Sequence, residues 1–188
     1  MTSLADFEAT GALLAGHFRL SSGRHSDRYL QCARLLQWPD RAETAGRELG
    51  DALQGFSPAA VVSPAMGGII IGHEVARALK VPFVFTERVD GAFALRRGFR
   101  LEPGTPVVIV EDVFTTGKST REVMDTLARL DARVAAVGSI VDRGLPSDAF
   151  SVPSRSLLRL DVPSWPETDC PLCAKGIPID TPGSRFGK

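Results

Sequence analysis

Residues 107–120 read VVIVEDVFTTGKST: four apolar residues, two adjacent carboxylates, Glu111 and Asp112, then a turn rich in threonine and glycine. This stretch restricts the fold more than any other. A continuous β-branched run suits a strand buried on both faces, as in a parallel sheet. An acidic pair at the carboxyl end of such a strand lies where open α/β sheets bind ligands. Thr115, Thr116, Gly117, Ser119 and Thr120 crowd the turn into a helix. There, free backbone N–H groups and the helix dipole favour an anion. One loop thus offers acceptors for hydroxyls and, a few residues on, donors for a phosphate. A phosphorylated sugar has both.

The whole chain narrows the setting. Its 188 residues, 44% of them hydrophobic, suffice for one core, with 22 basic against 22 acidic side chains. That balance suggests neither a nucleic-acid coat nor a membrane-surface protein. No apolar run approaches the ~20 residues that span a bilayer. The N-terminus has no basic region ahead of an apolar stretch, and three cysteines argue against a disulfide framework. A cytoplasmic globular protein is expected, with a phosphate site built by loops rather than by bulk charge.

Along the chain, Thr2 or Ser3 caps a first helix carrying Leu4, Phe7, Leu13 and Leu14 on one face and ending at Gly16. Residues 17–22 and 28–32 read as two strands of a small β element. Pro39 and Asp40 open a helix that Gly55 stops. A short strand at 59–62 leads into the loop SPAMGG (Ser63, Pro64, Ala65, Met66, Gly67, Gly68), which opens a helix through Leu79. The two glycines let a ligand approach the backbone closely. A strand at 81–86 follows. Residues 87–104 then break the rhythm. Asp90–Gly91 is a hairpin turn signal among Arg88, Arg96, Arg97 and Arg100, and so long a connection is often a lid. A helix at 119–130, a strand at 133–141 and a strand at 156–160 complete the pattern. The five prolines from Pro163 to Pro182 predict an irregular tail that wraps the surface. Alternating strands and helices predict an α/β fold with a mainly parallel sheet flanked by helices. A single domain is expected, with a hood at 1–38, a core at 39–160 and the tail at 161–188.

The GKS within TTGKST is not a nucleotide-triphosphate P-loop, because that motif needs glycine five positions before Gly117, where Asp112 stands. No GxGxxG follows a strand. The run of apolar residues, Glu-Asp, two residues, and Thr-Thr-Gly-x-Ser-Thr instead resembles the PRPP-binding signature of the type I phosphoribosyltransferases. GHFRLSSGRHSDRYLQCARLL, SPAMGG, TERVDGAFALRRGF and VDRG extend the likeness to the orotate-using members of that family, from about Gly11 to the GSR of the tail. The resemblance implies transfer of ribose 5-phosphate from PRPP to orotate, with Mg²⁺, in a homodimer.

It also implies roles. Glu111 and Asp112 accept hydrogen bonds from the ribose hydroxyls and set negative charge near C1′, where cationic character develops. The backbone of Val113, Phe114, Thr115, Thr116, Gly117, Lys118 and Ser119, with the Thr and Ser hydroxyls, cradles the 5′-phosphate. Lys118 either adds charge there or points to water. Thr115 also contacts orotate, and Arg143 pairs with its carboxylate, against the ordinary fate of a surface ion pair with Asp142 or Asp148. Ser63 to Gly68 grip the pyrophosphate. Mg²⁺ is held mostly by PRPP oxygens and water, so no protein metal ligand is expected.

Short members of the family carry lysines where this chain has Ser21 and Gly67, and a Lys/His-rich lid. Arg88, Arg96 and Arg97 are the expected substitutes, closing over the pyrophosphate from the partner subunit; the competing reading is a solvated basic hairpin. Cys170-Pro-Leu-Cys173 resembles half a zinc knuckle. Neither Cys32 nor His17, His25 and His73 has a spacing that completes it, so a turn with two reduced cysteines is expected. A purine base in place of orotate, or a non-catalytic PRPP sensor, are the rival functions. A sensor would need a DNA-binding module or a basic face.

Overall fold

The computed structural model describes residues 1–20 and 22–182. Ser21 and the GSR at 183–185 lie outside the described residues. Helix α1 (Leu4–Ala9) leads into strands β1 (Leu13–Arg19) and β2 (His25–Leu30). Helices α2 (Ala33–Leu36) and α3 (Pro39–Leu53) then lead to β3 (Ala60–Pro64), α4 (Gly68–Leu79), β4 (Phe83–Val89) and β5 (Ala92–Leu95). Next come β6 (Pro106–Phe114), α5 (Lys118–Ala128), β7 (Arg133–Asp142), β8 (Ser154–Arg159) and a short α6 (Pro171–Ala174).

The main sheet has six strands in the order β5-β4-β3-β6-β7-β8. All neighbours pair in parallel except β4 and β5. Burial sorts the β-branched run of β6 by alternate residues, as a pleated strand requires. Val108 and Val110 pack in the cluster with Leu49 and Leu53 of α3 and Ile71 and Val75 of α4. Val107 and Ile109 pack on the other face with Val123 and Leu127 of α5. The strand is therefore buried on both sides, which is why its sequence is continuously apolar rather than alternating.

The sheet order also fixes where a ligand can go. The chain leaves β3 through α4 toward β4, and leaves β6 through α5 toward β7, in the opposite direction. A crevice therefore opens between the carboxyl ends of β3 and β6, the switch point at which such sheets bind ligands.

Outside this sheet, β1 and β2 form a separate antiparallel pair. The expected first helix is shorter than its apolar stripe. It ends at Ala9, and Leu13 and Leu14 pair with Leu30 and Tyr29 in the hairpin. A stripe of leucines fits helix and strand alike, and the turn at Thr10–Gly11 decides between them. Residues 87–89, expected in a lid loop, instead extend β4, and the Asp90–Gly91 turn joins β4 to β5 with φ of 50° and 86°. Two positive φ values in a two-residue turn match the twist of a hairpin.

The tail is more ordered than its prolines predict. His25 and Trp165 exchange backbone hydrogen bonds of 2.8 Å. Asp180 N–H donates to the His17 carbonyl, and Arg19 N–H donates to the Asp180 carbonyl. Prolines remove donors but leave carbonyls, and the hairpin edge uses the donors that remain. This docking also sets His17 and His25 beside the Cys170–Cys173 turn, a proximity that spacing along the chain did not suggest.

Candidate active site

Glu111 and Asp112 lie in the last turns of β6, above the switch point. Asp112 Oδ1 accepts the Val113 N–H at 2.8 Å, which fixes the carboxylate against its own backbone. Burial pushes the Glu111 carboxyl well above its ordinary range, and the Asp112 charge beside it adds to the shift. Burial raises Asp112 as well, against the lowering effect of hydrogen bonds from Glu111 and from the backbone. Two adjacent acids in a poorly solvated place hold a proton more readily than separate ones. Cys32 lies beneath them, its Sγ 3.7 Å from the Asp112 carbonyl oxygen. Burial and then the two carboxylates push its thiol well up, so it is no nucleophile.

Across the crevice, Ser63, Pro64, Ala65, Met66, Gly67 and Gly68 form the end of β3, a tight turn and the start of α4. Ser63 and Pro64 are buried in the strand, whereas Met66 and Gly67 are exposed. The Ala65–Met66 peptide is cis. A Cβ on Gly67 would stand 2.9 Å from both Asp112 carboxylate oxygens. Gly67 is therefore a point of contact between the two loops, and the close approach leaves no room for a lysine side chain there.

Residues 115–119 form the turn from β6 into α5. Gly117 takes φ 69° at the helix start, and a Cβ there would meet Arg121 and Phe150 at 3.0 Å. Both strain and crowding therefore reserve this position for glycine. Glu111, Val113 and Phe114 join residues 115–120 around a pocket of about 80 Å³. Thr115 and Thr116 are exposed at its rim. Lys118 extends along α5 and is exposed, its Nζ 3.8 Å from Glu122 Oε1. Sequence reasoning missed Arg121. Its guanidinium donates to the Thr116 carbonyl at 2.8 Å and the Ala149 carbonyl at 3.1 Å, bracing the loop from behind. Position i+4 from Gly117 was the available signal.

Arg143 follows β7, one strand over. Its backbone N–H donates to the Phe114 carbonyl at 2.9 Å, which draws it to the same loop. Its Nε is buried and unpartnered, and burial lowers the guanidinium pKa. The competing ion pair is absent among the described residues. Asp142 is used by Arg159 and by the backbone N–H groups of Gly144 and Leu145. A partly buried cation with an idle donor beside an anion-binding loop calls for an anionic ligand.

Two of the three lid arginines are held by partners within the chain. Arg88 donates to Glu122 of α5 and to the Gly91 carbonyl, and its guanidinium lies 4.2 Å over the Phe93 ring. Arg97 makes a two-pronged pair with Glu87 at 2.8 and 2.9 Å. Arg96 is exposed. None of the three bonds to Glu111 or Asp112 among the described residues. Any role they have requires leaving these partners.

The chain is similar to known proteins. A family model described as phosphoribosyl transferase domain matches residues 31–148. The chain is 51% identical to orotate phosphoribosyltransferase of Thermotoga maritima over 178 residues, 95% of each chain. The crystal structure of orotate phosphoribosyltransferase from Aeropyrum pernix superposes with a TM-score of 0.70 at 27% identity, covering 82% of this chain and 91% of that one. An adenine phosphoribosyltransferase from Thermoanaerobacter pseudethanolicus shares the fold, with a TM-score of 0.60 at 18% identity over 71% of this chain and 88% of that one.

Proposed function

This chain belongs to the orotate phosphoribosyltransferase family, and on that premise we propose that it transfers the phosphoribosyl group of PRPP to N1 of orotate. The products are orotidine 5′-monophosphate and pyrophosphate, a step of pyrimidine nucleotide synthesis. The observation that carries the choice of base is Arg143, whose buried, unpartnered Nε sits beside the loop at 115–119. A planar guanidinium matches a carboxylate with two parallel hydrogen bonds. Orotate has that carboxylate; adenine and xanthine do not.

The remaining roles follow from position. The backbone of residues 115–119 receives the 5′-phosphate, and Glu111 and Asp112 accept the ribose hydroxyls. Residues 63–68 face the leaving pyrophosphate across the crevice. Hydroxyl donors favour the ionised form of the acidic pair, so PRPP binding draws off the proton that burial retains. The resulting negative charge stabilises the cationic character that develops at C1′ as the pyrophosphate departs and N1 approaches from the opposite face. No covalent intermediate is needed, and positioning carries most of the rate. The oxygen-bearing side chains of Glu111 and Asp112 near the crevice are compatible with Mg²⁺, a hard ion that prefers oxygen, without being required as its ligands. When bound, Mg²⁺ neutralises the leaving group, with most of its ligands supplied by PRPP and water. A homodimer in which Arg88, Arg96 and Arg97 close over the partner's pyrophosphate completes the reading, with the cytoplasm as its place.

The test is loss of orotate absorbance with PRPP and Mg²⁺, run beside adenine and xanthine. Orotate alone is expected to react. In Arg143→Ala, the KM for orotate rises roughly 10- to 100-fold, the cost of a charge-assisted hydrogen bond, while the KM for PRPP barely moves. Turnover of a purine instead of orotate, or an unchanged orotate KM in Arg143→Ala, would overturn the assignment.

A further inference from the structure

Far from the carboxylate pair, His17 on β1, His25 on β2, and Cys170 and Cys173 on the tail bring four ligand atoms within 4.8 Å of one another. His17 Nε2 lies 3.1 Å from His25 Nδ1, 3.5 Å from Cys170 Sγ and 3.7 Å from Cys173 Sγ; His25 Nδ1 lies 3.2 Å from Cys173 Sγ. With metal–nitrogen bonds of 2.0–2.1 Å and metal–sulfur bonds near 2.3 Å, the edges of a tetrahedral two-sulfur, two-nitrogen site are roughly 3.3–3.8 Å. Four of the six separations, at 3.1–3.7 Å, fall on or just below those values, and the other two lie within 4.8 Å. We propose that these four residues bind a structural zinc ion, which fastens the C-terminal tail to the N-terminal hairpin.

The surroundings fit that ion. His17 Nδ1 lies 2.7 Å from the Ile177 carbonyl oxygen. Its N–H donates there, which leaves the Nε2 lone pair facing the cluster. A second hydrogen bond that orients the imidazole is the usual support of a metal-bound histidine. The Cys170–Cys173 turn is closed by Ala174 N–H donating to the Cys170 carbonyl at 3.1 Å. Three of the four residues are buried, and Cys173 is exposed, leaving a route for entry. On binding, each thiol releases its proton to solvent and the two sulfurs become thiolates. Zn²⁺ with two thiolates and two neutral imidazoles carries no net charge, so the complex can be buried without an unpaired ion. Without a metal, two weak S–H donors and two ring nitrogens would have to satisfy one another in the same space. The spacing in sequence is 8 residues between the histidines and roughly 150 between the pairs. The Cys-x-x-Cys half is a local motif, whereas the histidine half is supplied only by the fold.

Untagged protein purified without chelator tests this by metal analysis. About one zinc per chain is expected, falling to a trace in Cys170→Ser/Cys173→Ser. Adding Co²⁺ to chelator-stripped, reduced wild-type protein gives the intense visible bands of tetrahedral cobalt and a thiolate-to-cobalt charge-transfer band. Those bands read the site in the wild-type chain whether or not the double variant folds. Sub-stoichiometric zinc together with a featureless cobalt spectrum would sink the proposal. So would zinc retained in a folded double variant, which would put the ion elsewhere, or stoichiometric iron in place of zinc.

Discussion

At the scale of residues, the acidic pair is both legible and under tension. Its order, Glu then Asp after an apolar run, was enough to suggest a ribose-phosphate site. Its protonation was not, because burial depends on what packs around β6. A carboxyl whose pKa rises on folding binds its proton more tightly in the folded chain. Its contribution to stability is full below the ordinary value of 4.5 for Glu111 and is lost as pH rises through the elevated value. Glu111→Gln, which stays neutral, should therefore melt a few degrees above wild type at pH 7 to 8 without substrate, the gap closing toward pH 4. Its turnover should fall roughly 100- to 1,000-fold, the usual cost of losing a charge aimed at the transition state. Thermal melts across pH check the first part; a variant less stable at every pH would mean that the carboxylate is needed structurally. Arg143 was singled out by the family resemblance and by its place after a strand. Its idle Nε is a property of its neighbours.

At the scale of elements, most strands and helices follow from apolar periodicity, and the departures have local causes. Pro39 opens α3 and the Asp90–Gly91 turn closes the hairpin as their chemistry requires. The fate of the hairpin arginines was not legible, since Glu87 and Glu122 lie 10 and 34 residues from their partners. Exposed pairs of this kind are worth about 0–1 kcal/mol, so a bound diphosphate can displace them. If Arg88 acts on the substrate, Arg88→Ala should cut kcat roughly 100-fold or more. Glu122→Ala should then leave it within about twofold, since an exposed pair contributes little. Steady-state rates of both variants decide. Equal, small losses would assign Arg88 to holding α5 against the hairpin and nothing more.

At the scale of the whole molecule, the proposed action of the lid across a dimer makes a distinct prediction. Arg88→Ala and Asp112→Asn are each expected to be nearly inactive alone. Mixed and allowed to exchange subunits, they should regain about a quarter of wild-type activity, because half the dimers are hybrids and each hybrid has one intact site. No recovery, with exchange confirmed, would place the lid over its own subunit's site. The sequence by itself determined the α/β class, the glycine-bearing turn into α5, the glycine loop and the acidic pair, because each is written in consecutive residues whose period or turn chemistry has few alternatives. The tertiary structure decided which loops face one another. Strand order placed residues 63–68 opposite Glu111 and Asp112, β7 carried Arg143 to Phe114, and the tail's docking brought Cys170 and Cys173 to His17 and His25. Those are contacts between distant segments, set by sheet order and edge pairing, and no spacing along the chain encodes them.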